Sequence, residues 1–142
     1  MKKLVAGVFA LFFTVLAGAG AQAADAAGIK AAMMTARENA VAMLGTTDAA
    51  ALDKHQAAIA AATKSVDADL AAVLADKATA PEAAAKYKAF SETWTPFKAT
   101  RDGELIPLIR AGKVAEAKAL ATGIQADRMK TMVGLLGELG AK

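Results

Sequence analysis

Residues 86–139 read KYKAFSETWTPFKATRDGELIPLIRAGKVAEAKALATGIQADRMKTMVGLLGEL, and their spacing decides the fold. Tyr87, Phe90, Trp94, Phe97, Arg101 and Leu105 recur at three- and four-residue steps, the period of one buried stripe on a long helix. The stripe runs to Arg110-Ala111-Gly112, a helix stop, and a second periodic run begins at once. Two long helices joined by so short a turn lie antiparallel, which makes them half of a bundle. One member of the stripe is an arginine.

Working outward, the segment before this hairpin supplies two more helices. Ile29, Met33, Ala36, Ala40 and Met43 step 4-3-4-3 over roughly Ala26–Leu44, and Gly45 closes that helix. Thr46-Thr47-Asp48 offers N-caps for the next. Its seam runs Leu52, Gln56, Ile59, Thr63, Val66, Leu70 and Val73, a heptad pattern that predicts coiled-coil-like packing at shallow angles. Pro81 and Glu82 suit the first turn of a third helix. Pro96 and Pro107 fall inside it, so kinks are expected near Glu92–Thr93 and Gly103–Glu104, with the helix kept whole because its aromatic stripe stays in phase. The fourth helix is expected over about Lys113–Leu139, with Val114, Ala117, Ala121, Ile124, Arg128, Thr131 and Leu135 facing inward. Gly123, Gly134 and Gly137 weaken it by roughly 1 kcal/mol each relative to alanine. Short connections favour an all-α, antiparallel up-down-up-down four-helix bundle over residues 24–142.

The N-terminus reads as an export signal. Lys2 and Lys3 precede an uncharged apolar run from Leu4 to Leu16, and Ala17 to Ala23 offers Ala-x-Ala cleavage choices. Cleavage after Ala23 makes residues 1–23 a signal peptide. The alternative is an uncleaved anchor, since Leu4–Ala24 is just long enough to span a bilayer. Either way the bundle is expected to be periplasmic or secreted.

Composition then removes whole classes of chemistry. With no cysteine there is no disulfide, zinc thiolate or covalently attached c-type haem. A single histidine rules out the paired Glu-x-x-His set of di-iron bundles. The net charge is +3, and +1 without Lys2 and Lys3, so no polyanion-binding surface and no nucleic-acid partner is expected. No nucleophile has a base beside it, and no enzyme is expected. No cofactor is implied.

What remains is a polar level. Counting from the turns near Thr46, Thr79 and Ala111 puts Arg37, Gln56, Arg101 or Asp102, and Ala121 or Thr122 at one height. A buried guanidinium must meet an anion or lose several kcal/mol to desolvation. Asp102, Glu104 or Glu38 can neutralise Arg101 as a structural ion pair. Alternatively Arg101 and Arg37 meet a carboxylate ligand between helices, where bundles place their sites, or Arg101 reaches out to water. The ligand reading makes Arg37, Gln56, Arg101 and Asp102 the candidate contacts for a small organic anion. Thr63 and Arg128 form a thinner polar level near Trp94, with Arg128 a candidate to lie over the indole. His55 sits beside the seam and reads as half-exposed. A b-type haem with His/Met ligation needs a methionine at the height of His55, and Met33 and Met43 miss it by roughly 7–8 Å. The methionines read as core filling.

Trp94, Phe97, Ala99-Thr100-Arg101-Asp102, Leu105, Ile106 and the Ala111-Gly112-Lys113-x-x-Glu116-Ala117 turn resemble the four-helix-bundle sensory domain of methyl-accepting chemotaxis receptors. The resemblance covers most of residues 24–142 and is specific from about Tyr87 to Leu120. It implies a periplasmic module that binds small molecules or senses through a partner, with a homodimer or a membrane receptor as candidate partners. In that family the last helix continues into a second membrane span. This sequence ends at Lys142, so the expectation is a stand-alone exported relative with no transmembrane signalling of its own. A structural, dimerising helical protein is the competing reading, and b-type haem the third.

Overall fold

The computed structural model describes residues 25–142, so the expected signal peptide or anchor at 1–23 lies outside the described residues. Six α-helical segments and one π-helical turn form four rods. The first two rods are α1 (Ala26–Met43) and α2 (Ala49–Ala75). The third joins α3 (Pro81–Thr100) through a π-helical turn at Arg101–Leu105 to α4 (Ile106–Arg110). The fourth is α5 (Val114–Thr122) followed by α6 (Ile124–Glu138). No strand occurs among the described residues, and no helix there is long and apolar enough to cross a membrane. The architecture is the antiparallel four-helix bundle that the periodicity predicts.

The rod ends follow local chemistry. Asp25 caps α1 by accepting from the Gly28 N–H at 2.6 Å, and Asp48 caps α2 by accepting from Ala51 N–H at 2.7 Å. Pro81 opens α3 where its missing donor costs nothing. At Gly112 the chain takes φ +73, Gly112 N–H returns to Ile109 O and Lys113 N–H to Leu108 O. That pair of bonds is a Schellman closure, and it folds the fourth rod back on the third. Gly45 follows the Leu44 C-cap of α1 as expected, without a left-handed backbone.

The two prolines of the third rod behave differently. α3 continues through Pro96. Ahead of Pro107, whose ring would crowd the Gly103 carbonyl, the helix widens, and Ile106 N–H reaches five residues back to Arg101 O. Where a kink is expected near Gly103–Glu104, the structure has a π turn. The fourth rod is interrupted at Gly123 (φ −91, ψ −115) rather than continuous. Beyond it the inward set moves by one residue, to Gln125, Met129, Met132 and Leu136, leaving Ile124 47% exposed.

The interior divides into two apolar clusters. One holds Ile29, Met33, Val66, Leu70, Phe90, Trp94, Phe97, Met129, Met132 and Leu136. The other holds Ala40, Met43, Leu52, Ile59, Leu105, Ile106, Ile109 and Ala117. Along each rod one buried residue falls between them: Ala36, Ala62, Arg101 and Gln125. The bundle therefore has a polar layer across its middle, with two alanines leaving room for two long polar side chains.

Candidate functional site

Arg101 begins the π turn, and its side chain is 2% exposed. Its Nε donates to Asp102 Oδ1 at 2.7 Å and one terminal nitrogen to Asp102 Oδ2 at 3.1 Å, a two-point grip on an adjacent carboxylate that is itself 55% exposed. The other terminal nitrogen is buried and has no hydrogen-bond partner. The guanidinium carbon lies 5.8 Å from the centre of the Trp94 ring, and Lys98 Nζ lies 5.6 Å from it. The cations beside the indole are thus Arg101 and Lys98, not Arg128. Trp94 stacks between Phe90 and Phe97 at 6.1 and 5.6 Å, and its Nε1 donates to Asp67 Oδ1 at 2.7 Å. Lys98 donates to both oxygens of the same carboxylate. Asp67 thereby fixes the aromatic stack beneath Arg101.

Gln125, 4% exposed, is the second polar residue of the layer. Its amide nitrogen donates to Phe97 O at 3.0 Å. Arg128 donates to Gln125 Oε1, Pro96 O and Thr100 Oγ1 at 3.1, 3.2 and 2.8 Å. These bonds tie α6 to the last turn of α3, where the helix is about to widen. Thr63 Oγ1, on α2 next in sequence to Ala62 of the layer, is buried without a partner.

Between α1, the π turn and the α5–α6 junction runs a groove of about 880 Å³. Its floor includes Phe97, Arg101, Leu105 and Gln125, so both buried polar residues of the core line it. Arg37 and Lys118 line it as well, with Lys130 further along, and no carboxylate does. Among the described residues, no acid pairs with Arg37, Lys118 or Lys130.

The four residues singled out from sequence separate here. Arg37, exposed on α1, and Arg101 come to the same groove, together with Ala121 and Thr122. Asp102 stays outside the lining and serves Arg101 as its counter-ion. Gln56 does not join this level. It is exposed on α2, where its carbonyl oxygen accepts from Arg110 Nε and a terminal nitrogen at 2.9 and 2.6 Å while Asp53 takes the same arginine at 2.6 Å. A neutral amide is better satisfied by those donors at the surface than in an apolar seam. His55 is half-buried, its Nδ1 2.8 Å from Asn39 Oδ1. It is absent from the groove lining.

The bundle thus carries an aromatic stripe, a buried Arg101 paired with the exposed Asp102, and a cationic groove between its first and last rods. The model of the four helix bundle sensory module for signal transduction matches residues 21–141. The chain belongs to that family. No curated protein and no solved structure matches it. The sensory module is not an enzyme domain, and its place in receptors is one of signalling. In this sensory module sequence reading missed Gln125, Asp67, Lys118 and Lys130. Gln125 was legible in the step Gln125, Met129, Met132, Leu136, which competes with the set that starts at Ile124. Asp67 carried no periodic signal.

Proposed function

We propose that this chain is an exported sensory module whose groove at Arg101 takes a small organic anion, and whose occupancy is read by a receptor or by a second bundle packed against it. The observation that carries the reading is the buried Arg101 on a groove floor, holding one unpartnered nitrogen, in a lining with four cations and no acid. A guanidinium is matched to a carboxylate, and its remaining donors are available to one. Arg37 at the rim supports capture. Asp102 orients Arg101 rather than meeting the ligand. Export rests on the basic and apolar start of the sequence and on the setting usual for this family.

Thermal shift against a panel of carboxylates tests the proposal. At least one anion should raise the melting temperature of the protein, and Arg101→Met should abolish the rise while leaving helical content intact. No shift from any anion, or an undiminished shift in Arg101→Met, rules against it. The second reading, a helical interaction protein, is favoured by one observation: Val41 is 52% exposed on the groove wall, an apolar side chain that a second copy would cover. Sedimentation at several concentrations separates the two, because an obligate dimer shows no folded monomer.

A further inference from the structure

Resting on the anion reading above, we propose that the groove's occupant is an amphiphilic monoanion with an unbranched apolar tail, an acyl-chain carboxylate, rather than a compact dicarboxylate or an amino acid. The groove is long. Its α1 wall runs from Met34 to Gly45, about 16 Å at 1.5 Å per residue. Its volume of about 880 Å³ falls at the upper end of ligand clefts, and a compact diacid would leave most of it wet. Much of the lining is apolar: Val41, Leu44, Leu105 and Ala121 belong to it, as do Met34, Met129 and Val133. Methionines make such a wall adaptable to a flexible chain.

Charge selects the head group. Arg37, Lys118, Lys130 and Arg101 line the groove and no aspartate or glutamate does. An amino acid's ammonium would find no carboxylate there and four like charges, so its zwitterion is disfavoured. A single carboxylate set between Arg37 and the free nitrogen of Arg101 satisfies both, and the tail extends along the wall from that midpoint. The half-exposed Val41 is then covered by tail rather than left in water.

Titration calorimetry on the full chain decides the matter, using acetate, hexanoate, octanoate and decanoate beside succinate, glutamate and decylammonium. Affinity should rise roughly two- to fourfold per methylene through decanoate, while decylammonium does not bind. Val41→Asp, a change at an exposed position that circular dichroism should show folded, should weaken decanoate at least tenfold. A flat acyl series with succinate or glutamate bound more tightly overturns the amphiphile and leaves the anion site standing. Decylammonium binding as well as decanoate overturns the charge argument and with it the proposal. A dimer that Val41→Asp dissociates and decanoate does not shows the groove to be filled by a second copy, which also overturns it. Binding of none of the compounds overturns both this inference and the anion reading.

Discussion

Arg101 is held at two points by its own sequence neighbour, and that arrangement separates its structural cost from its use. Replacing a buried ion pair by well-packed apolar side chains is commonly neutral or stabilising by about 1–4 kcal/mol, and here removing the arginine strands no buried charge because Asp102 is 55% exposed. Arg101→Met is therefore expected to keep or raise the urea midpoint, while Asp102→Ala, which strands the guanidinium, lowers stability by about 1–3 kcal/mol. A large loss in Arg101→Met would instead make the arginine a structural element. Tyr87 gives a second residue-scale expectation. Burial pushes its phenol above the usual 10.0, Asp25 adds to the rise, and a hydrogen bond with the Ala26 backbone opposes it. The fold thus favours the neutral phenol, and the unfolded chain ionises first. Its contribution is complete below pH 10 and is lost as pH climbs through the raised value. Tyr87→Phe should flatten that alkaline decline in a pH series of urea midpoints.

At the scale of elements, glycines with different surroundings give opposite expectations. A Cβ on Gly123 would stand 2.9 Å from the Ala119 carbonyl oxygen, so Gly123→Ala should cost about 1–3 kcal/mol. Gly134 and Gly137 lie in α6 with nothing within 4 Å of an added Cβ, and alanine at either should stabilise by about 0.5–1 kcal/mol. Thermal melts of the three variants check both signs. These elements also show what the sequence carried. The stripe from Tyr87 to Leu105 and the α1 set from Ile29 to Met43 are buried as their spacing predicts, because one uninterrupted period leaves no competing phase. The fourth rod was misread after Gly123, since two sets one residue apart, Ile124–Arg128 and Gln125–Met129, satisfy the same steps. Only the backbone break chooses between them. The groove was half legible: counting levels brought Arg37 to Arg101, but helix period alone does not say that Arg110 would draw Gln56 to the surface.

Across the whole molecule, the polar layer sets two apolar clusters of unequal quality against each other. Among the described residues, the cluster around Trp94 holds all the buried aromatics, whereas the one around Leu105 and Ile109 holds none. Amides of α4 and α5 should accordingly exchange through smaller openings than those of α3 near Phe90, which native-state hydrogen exchange reads directly. Equal protection in the two halves would count against such a division. The π turn and the Gly123 break fall at the same boundary, on adjacent rods tied by Gln125 and Arg128. The bundle therefore has a crease, where two adjacent rods depart from regular α-helix at the same height. The groove runs across that crease, with Leu105 and Lys118 on one side and Met129 and Val133 on the other. An anion bound there as proposed would act as a splint, coupling the two halves of the third and fourth rods.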